Sequence, residues 1–261
     1  MEEYYSDNYS SNFADSDPSK SSKDDDSLNE EEFKIERNLK DQSKFDKSIK
    51  LIFLGESSVG KTSIIHRICQ GEFSPNLKAT ISLELNNYYI KINDYIIRIQ
   101  IWDTAGQEKY NSIVKNYFQN ADIAIYIYAI NDENSFEKIQ DWYFVAHDNN
   151  QKAGNKEMKN ILLGNKKDVG ETQRKVSTEE GELFAKKNNF LYFQEISCKD
   201  SNEKEINNIN KVFDIIAIQF FKNLNRRTFS TDSDSINFHA SKKLYPPENK
   251  EQKNKKKRCC K

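Results

Sequence analysis

Apolar residues along this chain fall in short dense runs separated by polar or turn-forming residues. KLIFLG (50–55), IIRIQIWD (96–103), ADIAIYIYAI (121–130), NILLGNK (160–166) and LYFQEIS (191–197) are the clearest. Their Ile, Tyr and Phe content fits strands, and near-continuous apolarity fits strands covered on both faces. YYIKINDYIIRIQI, with partial apolar/polar alternation, predicts a hairpin turning at Asn93 and Asp94, which adds one antiparallel edge pair. Between these runs the period changes. Residues 61–70 follow the first strand directly and read as a helix. SFEKIQDWYFVAHD (135–148) carries Phe136, Ile139 and Tyr143 at helical spacing. Residues 178–188 follow Ser177, a natural cap with Glu180 three residues on. Residues 206–224 hold Ile209, Val212, Phe213, Ile216, Ile218, Phe220 and Phe221, a final packed helix. Strands alternating with helices predict a doubly wound α/β fold with a mostly parallel, six-stranded sheet.

The ends of the chain break this pattern. Only 36% of the 261 residues are hydrophobic and 31% are charged, and the apolar shortfall lies mostly in the tails. Residues 1–47 are acidic and polar, and residues 226–261 are rich in Ser, Asn and Lys. Neither can offset the entropy of ordering, so both are expected to be disordered around one domain at 48–225. A net charge of −1 hides the contrast between acidic head and basic tail. The basic run alone is compatible with nucleic acid, an anionic membrane surface or plain solubility. Cys69 and Cys198 in the domain, with Cys259 and Cys260 in the tail, form no disulfide framework and no metal spacing, which points to a reducing compartment. The first residues lack the charged and apolar regions of a signal peptide, and Glu2 excludes N-myristoylation. No apolar run approaches the ~20 residues needed to span a bilayer.

In a doubly wound sheet, ligands bind at the carboxyl ends of strands, and four motifs fall there. GESSVGKT (55–62) ends the first strand and opens a helix, the context a phosphate loop requires. Its glycines, Gly55 and Gly60, let main-chain N–H groups of Ser57, Ser58 and Val59 curl around phosphates. Lys61 would reach the β and γ phosphates, and the Thr62 hydroxyl would bind Mg²⁺, with Ser63 next on the helix. The loop alone separates neither ATP from GTP nor a kinase from a switch. IWDTAGQE (101–108) sets Asp103 at a strand end, where it can hold Mg²⁺ through water. Gly106 offers an N–H unobstructed by a Cβ, and Gln107 can orient an attacking water. NKKD (165–168) supplies a carboxylate, Asp168, able to accept from guanine's ring N–H and amine, while Lys166 lies along the base with its stem. ISCKD (196–200) offers main-chain N–H groups at Ser197 and Cys198, with Lys199 for packing.

Together and in this order, GESSVGKT, WDTAGQEKY, NKKD and SCK resemble the nucleotide motifs of the Ras-like small GTPases, and within them the Rab branch, over about residues 50–225. The resemblance implies guanine-nucleotide binding with Mg²⁺, slow GTP hydrolysis and two switch segments that order around the γ-phosphate. Asn165 is then part of the base site. Phe73 and Thr80, seven residues apart, match the family's base-flanking aromatic and switch threonine, so Thr80 would join Thr62 and Asp103 around Mg²⁺. The first switch departs from the pattern: TISLEL carries Ser82 and Leu85, Leu77 stands where relatives often carry Tyr, and the partner-reading triad becomes Leu85, Trp102 and Tyr117. A metabolite kinase would leave DTAGQE and NKKD unexplained; a nucleotide-locked, non-hydrolysing scaffold on a membrane is the competing reading.

Position 258 is Arg, so the tail has no C-a-a-X box. Cys259-Cys260-Lys261 instead resembles the paired-cysteine ending of Rab-like tails, which implies two geranylgeranyl chains. Lysines 253 and 255–257 with Arg258 would add attraction to anionic lipid. The resemblance further implies effectors, an exchange factor, a GTPase-activating protein (GAP), a prenylation escort and a GDP-dissociation inhibitor. It implies a monomer that binds no nucleic acid and cycles between cytosol and the cytoplasmic face of an intracellular membrane, in vesicle-mediated protein transport.

Overall fold

The structure is a computed structural model that describes residues 33–40, 42, 44–77, 80, 84–103, 118–152 and 157–229. Seven strands form one sheet: β1 (Ile35–Glu36), β2 (Lys47–Leu54), β3 (Glu84–Ile92), β4 (Tyr95–Asp103), β5 (Ile123–Ala129), β6 (Lys159–Asn165) and β7 (Tyr192–Glu195). Their order is β1-β3-β4-β2-β5-β6-β7. β4, β2, β5, β6 and β7 run parallel, while β3 is antiparallel to β4 and β1 to β3. The helices are α1 (Lys61–Gln70), α2 (Glu133–Glu137), α3 (Ile139–Lys152), α4 (Thr178–Lys187) and α5 (Glu203–Phe229).

The central strands behave as their composition predicts. All seven residues of β5, IAIYIYA, are buried, as a parallel strand covered on both faces requires. β4 alternates because its Ile97, Ile99 and Ile101 enter the core while Arg98 and Gln100 stay partly exposed. The β3–β4 turn closes as expected, with Ile92 opposite Tyr95 and Asn93 at φ 54°. One core layer joins Ile52, Leu54, Tyr126 and Tyr128 of the sheet to Ile139, Trp142 and Ala146 of α3. Ile139 lies on the buried stripe as expected, joined by Trp142 and Ala146, while Phe136 and Tyr143 pack at its margin. The segment expected as one helix from 135 is two, the first capped by Asp132 through the Ser135 N–H. α4 begins with a complete capping box: Glu180 N–H donates to Ser177 Oγ at 3.2 Å and Ser177 N–H to Glu180 Oε2 at 2.7 Å.

One expectation needs correction: the sheet has seven strands rather than six, the additional one being β1, in the segment before residue 48. The described residues between 33 and 46, expected from composition to lie in a disordered extension, strap the hairpin. Lys34 and Asn93 exchange main-chain and side-chain bonds of 2.9 and 3.2 Å, and Leu39 N–H donates to Tyr89 O at 3.2 Å. Asp46 bonds the Ile96 main chain in both directions, and the Arg98 guanidinium lies 4.0 Å over the Phe45 ring. Arg37 makes a bidentate pair with Asp214 of α5, at 2.8 and 2.6 Å, and the Asp214 side chain is 5% exposed. A polar segment can order here because its main chain finds an unpaired strand edge and its arginine a buried carboxylate. This body ends at Gln219; from Phe220 a second unit begins, of which residues 220–229 are described and helical. No helix among the described residues is long and apolar enough to cross a membrane.

Candidate nucleotide site

β2 sits where the strand order reverses, between β4 and β5, and the loop after it leads straight into α1. Gly55 (φ 144°), Ser58 (φ 62°) and Gly60 (φ 101°) bend this loop through conformations that L side chains rarely adopt. A Cβ on Gly55 would overlap the Ile127 carbonyl, and one on Gly60 the Asn165 amide. Ser57 and Ser58 are exposed, whereas Val59 is buried. Among the described residues no side chain caps α1 and no acidic residue sits in its first turn, as an anion site at a helix N-terminus demands. Lys61, 6% exposed, folds back so that its Nζ donates to Gly55 O and Glu56 O at 2.9 Å each. Trp142 of α3 donates to Glu56 Oε1 at 3.3 Å, tying the loop to the helix beside it.

Beneath the loop three oxygen-bearing side chains meet. Thr62 Oγ1 donates to Asp103 Oδ2 at 2.6 Å and lies 2.6 Å from Thr80 Oγ1, which is itself 3.5 Å from that carboxylate. Asp103 is fully buried, and its Oδ1 has no hydrogen-bond partner among the described residues. Burial pushes its carboxyl above the usual range, opposed by the Thr62 hydroxyl and the Lys61 charge. A buried carboxylate oxygen without a partner, beside two hydroxyls, is a donor set that fits a hard, oxygen-seeking cation such as Mg²⁺.

On the other flank, β6 ends at Asn165, which is fully buried and bonds in two directions. Its Nδ2 donates to Val59 O of the phosphate loop at 2.8 Å, and its Oδ1 accepts from Cys198 N–H at 3.4 Å. Lys166 adopts a left-handed conformation (φ 69°), turning the chain so that Asp168 faces the loop after β7. Ser197 Oγ donates to Asp168 Oδ1 at 2.8 Å and accepts from Asp200 N–H at 3.1 Å, and Lys199 Nζ lies 3.6 Å from Asp168 Oδ2. The Ser197 N–H donates to Glu205 Oε2 at 3.2 Å, so Ser197 presents its hydroxyl to the site. Burial raises the Cys198 thiol above its usual range and keeps it in the neutral form.

The structure therefore brings residues 55–63, Thr80 and Asp103 together on one side and Asn165, Lys166, Asp168, Ser197, Cys198 and Lys199 on the other. Phe73 lies two residues past the α1 cap, partly buried. Gly106, Gln107, Ser82, Tyr117, Cys259 and Cys260 lie outside the described residues. Two site residues escaped the sequence reading. Glu205 binds both the Ser197 N–H and Lys167 Nζ (3.3 Å), and the N-x-x-E pattern from Asn202, whose Oδ1 accepts from the Glu205 N–H, was its signal. Arg67 was visible only as a charge on the buried stripe of α1, among Ile64, Ile65 and Ile68.

A mostly parallel sheet whose switch point carries this loop, with Lys61 and a buried Asp–Thr cluster below it, defines a nucleotide-binding protein of the phosphate-loop class. A family model described as the Ras family matches residues 50–222. The chain is 38% identical over 179 residues to Ras-related protein Rab-11B of Dictyostelium discoideum, covering 69% of this chain and 78% of that protein. It is 34% identical over 187 residues to Ras-related protein Rab-2B of the same organism, covering 72% of this chain and 87% of that protein. It is 34% identical over 191 residues to Ras-related protein Rab-19 of Xenopus laevis, covering 73% and 84%. The chain belongs to the Ras family of small GTPases and is of the Rab type.

Proposed function

We propose that this GTPase is a membrane-anchored switch that recruits effector proteins when GTP-bound, acts in vesicle-mediated transport, and is retired by hydrolysis. The geometry that carries the reading is the double engagement of Asn165, which holds the phosphate loop and the base loop against each other. In this reading Gly55, Ser57, Ser58, Val59, Gly60 and Ser63 line the phosphates and Lys61 offsets their charge. Asp168, with Lys166 and Lys199 along the ring and Phe73 at its edge, reads guanine. Thr62, Thr80 and Asp103 hold Mg²⁺, which when bound supplies charge neutralisation between the phosphates. Gly106 meets the γ-phosphate and Gln107 orients water. No arginine is assigned to the γ-phosphate, so rapid turnover requires a GAP, whose contribution in such systems is ~10³- to 10⁵-fold.

The domain layout follows: an acidic N-terminal extension, a GTPase domain and a tail from about residue 226 that tethers it to membrane. Cys259 and Cys260 carry geranylgeranyl groups, and residues 253–258 add electrostatic attraction to anionic lipid. Effectors, an exchange factor, an escort and a GDP-dissociation inhibitor are the partners this cycle needs, and the chain moves between cytosol and the cytoplasmic face of an intracellular membrane. Leu85, 51% exposed on β3 opposite Trp102, supplies an aliphatic contact for effectors.

Chromatography of nucleotide released by heat from the purified protein tests the site. GDP in equimolar amount, lost in Lys61→Ala and Asp168→Ala, is the expected result. A protein that carries none and also refuses Mg²⁺-GTP contradicts the reading and leaves a lipid-tethered scaffold.

A further inference from the structure

Arg67 lies six residues into α1, on the face turned to the core, and is 8% exposed. A buried guanidinium commonly sits against a carboxylate; here its partners are main-chain carbonyls from two separate segments. Nε donates to Cys198 O at 3.0 Å and Nη2 to Lys199 O at 3.2 Å, while Nη1 donates to Gly71 O at 3.0 Å. Gly71 is the α1 cap, in a left-handed conformation, and its N–H returns to Arg67 O at 3.0 Å. One side chain thus closes the far end of the phosphate-loop helix and grips two consecutive carbonyls of the base loop.

We infer that Arg67 is a positioning residue for the nucleotide: it fixes the 198–199 peptide relative to α1, so that the base loop and the phosphate loop hold one ligand together. The inference rests on the proposed guanine-nucleotide site and assigns part of its retention of nucleotide to this link. Asn165 joins the two halves near the ligand, and Arg67 joins them from behind. The planar fork matters, because a lysine keeps the charge but cannot span three carbonyls at fixed angles. Without the fork, Cys198 O and Lys199 O lose charge-assisted bonds, the 198–199 peptide moves away from α1, and the buried Cys198 thiol leaves its place beside the Asn165 amide, 3.5 Å away, and becomes accessible.

The test uses the full chain in Arg67→Gln and Arg67→Lys forms, with two readouts. The first is the release rate of fluorescent GDP at a temperature well below unfolding. The second is the rate at which a maleimide labels Cys198, followed by mass spectrometry of its peptide so that Cys69, Cys259 and Cys260 do not interfere. Release at least about tenfold faster in Arg67→Gln, a smaller gain in Arg67→Lys, and faster Cys198 labelling in both are expected. Unchanged release, or faster release with Cys198 still protected, overturns the inference. Labelling is also read in nucleotide-free protein. A wild-type chain that binds no GDP therefore sinks the proposed site while Cys198 still decides what Arg67 holds.

Discussion

The two halves of the site are built by different means. The phosphate half is one continuous stretch, residues 55–63, whose shape comes from its own backbone: three positive φ angles in six residues, then a helix start. The base half has no such local template. It is assembled from the ends of β6 and β7 and depends on Asn165, Ser197, Glu205 and Arg67 reaching across the fold. A local device survives changes elsewhere in the domain but tolerates almost none within itself. An assembled device spreads its cost, so each partner removed loosens it by a step.

The substitution with the largest expected effect strikes both halves at once. In Gly60→Ala the new Cβ must sit in left-handed backbone and against the Asn165 amide. The protein should lose GDP on a desalting column that the wild type survives; retention of bound GDP would show that the loop is not held this tightly.

Arg37→Ala separates stability from binding. It leaves Asp214 buried without its arginine, 177 residues away in sequence and outside both halves. The expected loss is about 2 kcal/mol, below the ~3–5 of a fully buried pair because Arg37 is partly in water. Urea denaturation should register it while the GDP release rate stays at the wild-type value.

Ser197→Ala removes one strut of the base half, the hydroxyl between Asp168 and the Asp200 N–H. One such bond contributes about 1 kcal/mol, so GDP release should quicken about fivefold in stopped-flow traces. A change as large as that of Gly60→Ala would mean that the base half behaves like a local device after all.

The smallest effect lies away from the site. Burial holds the His147 imidazole below its ordinary value of 6.5, and the Asn160 bond at 3.1 Å and the Glu157 charge oppose this only partly. The unfolded chain therefore binds the proton more readily. This contribution is complete above pH 6.5 and is lost as pH falls through the lower folded-state value. Melting temperature should drop slightly more between pH 7.5 and 5.5 in the wild type than in His147→Gln.

The same contrast governs what could be read from sequence. Strands such as IAIYIYA and the loop GESSVGKT declare themselves locally, through continuous apolarity and glycine spacing. The capping box at Ser177 and the turn at Asn93 were equally plain. The strap formed by the described residues between 33 and 46 was not, because its composition is that of a tail and its order comes from main-chain bonds to β3 and β4 and from Asp214. Arg67 and Glu205 were hidden for the same reason. Each looks like an ordinary helix charge until the fold delivers carbonyls or an N–H to it.

The central claim is that a local phosphate cradle and an assembled base pocket act as one guanine-nucleotide site. Displacement of fluorescent GDP from the full chain by GDP and by ADP, both with Mg²⁺, tests it most directly. The two competitors share a diphosphate and differ only in what the base half reads. ADP should need roughly 10⁴-fold excess to match GDP, as when buried polar groups are left unpaired. Equal displacement by both would contradict it, and would reduce Asp168 and its partners to a structural role.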